Sequence, residues 1–377
     1  MNPGVLLAPS SPFGFPAPYW FLALFKLIGF ILHMTMMHLW YAGPILGFYL
    51  WARGGNARIF SKRLMMQMPI IVALGVNFGI VPLLFVQVAY YKVFYPSTIL
   101  MAWPWLSVII LLTVAYYGVY IYASAIKNEL SKLTPFKRAA GWIAALLFII
   151  IGFIFSNEFS LMTNLEAWQR LWSESNIAGA SLGLALNISD STFWPRWLMM
   201  FGMALMSASA YIAIDSSLLA AKESAVYRRW AVQYSFKPYL VGLVWYFAMA
   251  AWYIFGTWPD DIKNLMLGGS WLILTILTAA LPLLTFLLLL AVSRKDSVSR
   301  GQAIMIGLSQ IMVLALNGIG RQVVQNAEIG RYLDIAAEPV RTQWSPLVLF
   351  LLLFVVGVGI IIWMLRQLPA AGQKLTT

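Results

Sequence analysis

Cysteine is absent from this sequence, and histidine occurs only twice, at His33 and His38. Without thiols there can be no disulfide, no iron–sulfur cluster, no thiolate zinc site and no covalently attached c-type heme. Charge is scarce as well. Only 10% of the 377 residues are Asp, Glu, Lys or Arg, against about a quarter in a soluble domain. Acids are the scarcer sign, at 13 against 25 Lys and Arg. No Asp or Glu falls well inside an apolar run; Glu158 and Asp215 sit at ends. That absence leaves no paired carboxylates for hydrolysis and no intramembrane proton wire.

What is abundant is apolar surface. Hydrophobic residues make up 61% of the chain and the mean hydropathy is +0.80. Several charge-free runs are long enough to cross a hydrocarbon core of about 30 Å. The expected fold is an all-α polytopic membrane bundle of nine spans, near 20–51, 65–91, 98–123, 139–157, 194–214, 236–256, 270–292, 302–320 and 345–365. Pro44, Pro69, Pro82, Pro104 and Pro282 fall inside these spans and kink them; neighbouring helices satisfy the freed backbone groups. Residues 1–18 lack a basic start and are broken by prolines, so they read as a tail and not as a cleaved signal peptide. Residues 19–366 form one transmembrane domain, and 367–377 form a disordered tail. No internal repeat of the transporter kind stands out.

The connecting segments alternate in charge. One set holds Arg53, Arg58, Lys62, Arg63, Lys127, Lys132, Lys137, Arg138, Lys222, Arg228, Arg229, Arg294, Lys295, Arg300, Arg366 and Lys374. The other holds Lys92, Arg170, Arg196, Lys263, Arg321, Arg331 and Arg341. Lys26 and Lys237 lie near helix ends, within snorkelling reach of the interface. The positive-inside rule places the N-terminus outside and the C-terminus in the cytoplasm. The net charge of +12 is therefore a topology signal, and nucleic acid is not an expected partner. In the longest outer segment, Thr163 and Glu166 fit a capping box. Leu165, Trp168, Leu171 and Trp172 share one apolar face of a helix at about 163–172. That helix either lies on the membrane surface or forms a lid over the bundle.

The two histidines are five residues apart, so they point about 140° apart around one helix and cannot chelate one metal together. Each reads either as a hydrogen-bonded packing residue or as a ligand. Asn77, Gln87, Gln310 and Asn317 read as interhelical hydrogen-bonding groups. The aromatic stretch at 89–97 fits an interfacial belt, or alternatively a quinone-stacking site around Gln87, Tyr90 and Tyr91.

The order of "HMTMMHLWYAGPILG", "ARGGNARIFSKR", "GVNFGIVPLLFVQVAYY", "SNEFSLMTN" and "NGIGRQVVQNAEIG" resembles subunit I of the cytochrome bd quinol oxidases. That family has nine helices, an outside N-terminus, an "NGWMQNP" segment and a "GRQPW" motif in similar places. The resemblance puts His33 within one residue of the family's first-helix histidine, which ligates the oxygen-binding heme. The departures are substantive. The family's second histidine is replaced near Met199 and Met200, the 270–292 span has no methionine, and two carboxylates of the third helix are missing. The glutamate before the "GRQ" motif is replaced around Gly318, and the quinol loop shrinks to "GTWPDDIKNLMLGGS". A three-heme oxidase cannot be built from these residues.

The expectation is a membrane subunit of a respiratory electron-transfer complex in a bacterial-type inner membrane. It binds one heme b at His33 or none, and it anchors cytochrome or other redox subunits through Arg321, Gln322, Arg331, Arg341, Trp168 and Trp172. A catalytic quinol-oxidising subunit is the alternative. A transporter or channel is disfavoured by the missing intramembrane acids.

Overall fold

The computed structural model describes residues 6–127 and 133–374. Residues 1–5 and 375–377 of the expected tails, and Lys132 of the basic set, lie outside the described residues. The chain is almost wholly helical. Among the described residues, eight helices are long and apolar enough to cross a membrane. These are α1 (Tyr19–Arg53), α2 (Gly55–Ala89), α4 (Ala102–Lys127), α5 (Pro135–Leu161), α7 (Phe193–Ile214), α8 (Ala225–Ala251), α10 (Leu272–Ser293) and α11 (Arg300–Gly330). Shorter helices are α3 (Tyr91–Leu100), α6 (Glu166–Glu174) and α9 (Asp260–Lys263). A final helix, α12, runs Trp344–Lys374, with an apolar stretch at Trp344–Ile360. It continues through most of the segment expected as a disordered tail.

The helices overrun the hydrophobic runs that announce them. α2 starts at Gly55 and α8 at Ala225, each about ten residues before its apolar run, and α11 ends ten residues after its own. Backbone hydrogen bonding and polar caps carry a helix past the point where its sequence stops being apolar. Caps gather at one end of the bundle: Thr134 and Ser224 accept from Lys137 N and Tyr227 N, and Ser299 with Gln302 forms a complete capping box. The same end carries the basic set and is called the basic end below. The opposite end carries α6 and a small hairpin, β1 (Asn176–Ile177) with β2 (Ala180–Ser181), and is called the hairpin end.

α1 and α2 form the central antiparallel pair, with further pairs α7/α8 and α4/α5. The α1–α2 turn has no loop. Gly54 and Gly55 take φ of 72° and 51° and reverse the chain between two helices of 35 residues, a backbone that favours glycine. One core lies between α1, α2, α4, α5 and α7, around Trp40, Met65, Phe148 and Ala208. A second, at the hairpin end, is built on Phe15, Tyr90, Met162 and Trp168. The segment before α1 belongs to that core, since Phe15 N donates to Pro339 O at 2.8 Å and Arg341 N to Phe15 O at 2.8 Å. Outward-facing positions of α4, including Ile109, Ile110 and Tyr117, are exposed and apolar, as lipid-facing positions must be.

The expected capping box at α6 does not form. The helix starts at Glu166 with Leu165 before it and no side-chain cap. Thr163 instead donates to Ser160 O, and Glu166 accepts from the Tyr332 hydroxyl at 2.7 Å. Trp168 is fully buried and donates from Nε1 to Leu161 O at 2.8 Å. The element is therefore a lid keyed into the bundle, not a helix floating at the interface.

Candidate functional site

Two cavities open in the half of the bundle nearer the hairpin end. The first, of about 250 Å³, lies between α1, α2, α5 and α11. His33, Met37 and Trp40 of α1 form one wall. Gly79 of α2 packs directly against the imidazole, and a Cβ there would stand 2.7 Å from His33 Nδ1. Only glycine lets α2 approach the imidazole so closely.

His33 Nδ1 lies 2.8 Å from Gly75 O. A carbonyl can only accept, so Nδ1 carries the proton and Nε2 keeps its lone pair. Backbone-anchored Nδ1 with a free Nε2 is the arrangement that orients a metal-ligating histidine. His38 is placed differently. It is fully buried with Nδ1 2.9 Å from Ser207 Oγ, and it lines neither cavity. Ser207 Oγ accepts from Gln310 Nε2 at 3.0 Å, and Gln310 Oε1 accepts from Tyr239 at 3.2 Å. His38 thus sits in a polar chain linking α1, α7, α11 and α8. Gln310 makes the interhelical bonds expected of it, whereas Asn77 Nδ2 donates to Ala73 O within its own helix.

The end of the first cavity nearer the hairpin is cationic. Lys26 and Arg321 both line it, and no carboxylate does. Lys26 Nζ sits 4.6 Å from the Tyr90 ring centroid, and the Arg321 guanidinium lies between Phe30 and Phe159 at 5.2 and 5.0 Å. Aromatic faces offset some of the cost of burying these charges. Neither cation meets a carboxylate through a hydrogen bond or ion pair among the described residues. Gln325, also on this wall, has an unpartnered buried Nε2. Lys26 is 9% exposed and reaches along the bundle interior toward Tyr90 at the hairpin end.

Gln87, Tyr90 and Tyr91 line neither cavity, and their side chains bond to different partners. The Tyr90 hydroxyl joins Tyr19, Gln322 and Asn326. Tyr91 donates to Glu338 at 3.1 Å, and Gln87 accepts from Tyr95 at 3.5 Å. Of the residues expected to dock partners, Arg321 and Gln322 face the first cavity and Trp168 is inside the core, so these three offer no docking surface. Arg331 pairs with Asp261 at 2.6 Å; Arg341 is exposed and Trp172 is half-buried.

The second cavity, of about 370 Å³, adjoins the first, and Phe30, Met34, Ser156, Met200 and Arg321 line both. It lies between α7, α8, α10 and α11. Arg196 and Glu328 stand near its hairpin end with Nη1 and Oε2 4.0 Å apart, and neither of those atoms has a hydrogen-bond partner. Neither residue stood out in the sequence. In sequence, Arg196 falls among the connecting-segment charges and Glu328 lies beyond the 302–320 apolar run. The signal available for Glu328 was its spacing: it lies seven residues after Arg321, on one face of a helix that carries on.

At the other end of the bundle, Arg63 donates to both oxygens of Asp215, at 2.7 and 3.0 Å, and to Glu223 at 3.0 Å. The Tyr227 hydroxyl donates to Asp215 at 2.7 Å. Among the described residues, no group of three or more His, Cys, Asp or Glu could hold a metal ion. No protein-family model matches this chain, and no curated protein matches it in sequence.

Proposed function

We propose that this protein is an electron-carrying membrane subunit whose first cavity would hold one heme b, with His33 as the residue that would ligate its iron. The observation that carries this reading is the His33 imidazole: Nδ1–H held by Gly75 O at 2.8 Å, Nε2 bare, on the wall of an apolar cavity. The donor set fits the group in kind. An imidazole suits heme iron, and Lys26 and Arg321 offer two cations without acids to the two carboxylates that a heme carries. In volume the cavity is small, and Met34, Met37 and Met200 are the side chains that must turn aside. Methionine does so readily, being unbranched and polarizable.

When bound, the heme supplies one-electron chemistry. The chain's own residues then do the following. Gly75 O fixes the tautomer and rotation of His33, Gly79 allows the approach of α2, and Lys26 and Arg321 compensate anionic charge. The aromatic walls exclude water. In this reading α12 completes a nine-span bundle with the basic end in the cytoplasm, as the charge distribution supports. The one histidine on a cavity wall cannot supply the further ligands that a multi-heme oxidase needs. The chain therefore works within a larger redox complex in a bacterial-type inner membrane, receiving or handing on electrons there.

The test is a reduced-minus-oxidised visible spectrum with pyridine hemochrome quantitation on the purified chain and on His33→Ala. A b-type band present in the wild type and lost in His33→Ala supports the reading. A folded, heme-free wild-type chain overturns it and leaves a scaffold for redox subunits. The buried lid and the paired Arg331 favour that second reading only as a structural role.

A further inference from the structure

The acids of the basic end are all spoken for. Among the described residues they are Asp215, Glu223 and Asp296. Arg63 holds the first two, at 2.7 and 3.0 Å, and Arg229 holds Asp296 at 3.0 Å. Arg53 and Lys237 stand at the same end, both exposed, and neither forms an ion pair among the described residues.

The two cations lie at one depth. Arg53 ends α1 just past its apolar run at 20–51. Lys237 opens the apolar run of α8 at 236–256, and it stands about 18 Å along that helix from Ala225. Both therefore sit where hydrocarbon gives way to headgroups.

An aromatic strip joins them. Arg53 Nη1 donates to the Tyr49 hydroxyl at 3.0 Å, with the guanidinium 5.6 Å from the centroid of that ring. Tyr234 of α8 is within electrostatic reach of both Tyr49 and Arg53. It stacks on Trp230 with centroids 5.0 Å apart and planes 10° from parallel. Trp230, Tyr234, Lys237 and Val241 follow at spacings of four, three and four residues, which places them on one face of α8. Trp230 and Tyr234 pack inward on the core around Trp40 and Ala208 and are half-buried. Val241, 60% exposed, continues the face toward the middle of the bilayer.

Aromatic rings at this depth suit the glycerol and ester level of a lipid. Cations beside membrane helices attract acidic headgroups, and Tyr49 holds Arg53 in place while leaving most of its donors unspent. No free acid is at hand for the ammonium of a zwitterionic headgroup. We infer that the surface shared by the end of α1 and the first turns of α8 is a binding site for an anionic phospholipid. Its phosphate lies between Arg53 and Lys237, its glycerol and esters lie along Tyr49, Tyr234 and Trp230, and an acyl chain follows Val241. The inference uses neither cavity and no heme.

The experiment reconstitutes the full chain in phosphatidylcholine vesicles doped with one of two photoreactive lipids. One is a phosphatidylglycerol with a diazirine in its acyl chain, and the other is the matching phosphatidylcholine. Cross-linked peptides are mapped by mass spectrometry. In the peptides containing 49–53 and 230–241, the phosphatidylglycerol probe is expected to label about tenfold more than its counterpart. Arg53→Ala combined with Lys237→Ala removes that preference. Arg294→Ala combined with Lys295→Ala takes the same charge from the α10–α11 connection and leaves the preference in place. Labelling of the lipid-facing α4 segment 106–117 by the phosphatidylcholine probe stays constant and reports that each variant is folded and inserted.

Equal labelling of the wild type by the two probes overturns the site. So does a preference that both double variants lower alike, which is the diffuse field of the basic end. Loss of the label to competing inorganic phosphate overturns the lipid assignment, because a free anion then suffices. The preference persists in His33→Ala, so failure of the heme reading and failure of this one are distinguishable.

Discussion

Arg63 and Arg321 are both guanidinium groups drawn into the bundle, at opposite ends of it, and their surroundings differ in kind. Arg63 is saturated, with Asp215 on two of its nitrogens and Glu223 on a third, and Tyr227 closes the remaining side of Asp215. Arg321 has two aromatic faces and no carboxylate partner, with Lys26 on the same cavity wall. A saturated charge network is a finished structural element, whereas Lys26 and Arg321 line an apolar cavity with no carboxylate within ion-pair distance of either among the described residues. The Arg63 network is internally paired, and the cavity half leaves charges and cavity volume unfilled by side chains.

The largest expected effect breaks the saturated side. Asp215→Ala leaves Arg63 largely buried with only Glu223, and removing one partner of a buried pair costs about 3–5 kcal/mol. Thermal unfolding of the solubilised protein reads this directly, and a loss below about 1 kcal/mol would show that the network is not structural.

Next comes the unsaturated side. Lys26→Met removes a buried charge that lacks a carboxylate partner, so the ligand-free protein is expected to be at least as stable as the wild type. Heme retention through purification falls. A clear drop in ligand-free stability would mean that Lys26 has a structural role instead.

The two histidines sharpen the contrast. His38→Ala opens the chain through Ser207 and Gln310 and costs about 1–3 kcal/mol while bound heme stays at the wild-type level. His33→Ala does the reverse, removing the heme band with little change in unfolding temperature. Equal effects of the two variants on heme content would erase the distinction between ligand and packing residue.

The smallest effect is at the surface. Burial works against ionisation of Asp261, but the hydrogen bonds and charge of Arg331 outweigh it and hold that carboxyl below its usual range. A depressed carboxylate stabilises the fold fully above its unfolded pKa, near 3.9, and the contribution disappears as pH falls through the lower folded value. Both side chains are more than a third exposed, so screening limits the contribution to at most about 1 kcal/mol. Arg331→Ala is expected to lower stability at neutral pH by no more than that amount, and to leave it unchanged once Asp261 is protonated in acid, so that the acid-side decline becomes shallower.

Much of this was legible in the sequence. Composition alone implied helices long enough to cross a membrane, because scarce charge and long apolar runs leave few other folds. His33 stood out because histidine is so rare here, and the structure places it on a cavity wall with Nδ1 bonded to Gly75 O. What could not be read follows from helix length and rotation. α11 continues ten residues past its apolar run, which turns Glu328 from a loop acid into a half-buried neighbour of Arg196. Lys26 lies eight residues into α1, and proximity to a helix end does not reveal which way the side chain turns. The tryptophans of α6 had the right period for an amphipathic surface helix. The Trp168 hydrogen bond to Leu161 O, a contact between separate elements, is what makes the helix a lid.

The guanidinium of Arg321 belongs to the walls of both cavities, and this sets a thermodynamic condition on whatever they hold. One side chain cannot give its donors in full to two neighbours at once. An occupant on one side that draws the group toward itself changes the affinity of the other side, and the change is necessarily the same in both directions. Occupants of the two compartments would share a single adjustable charge, and their affinities would then be coupled without any helix having to move.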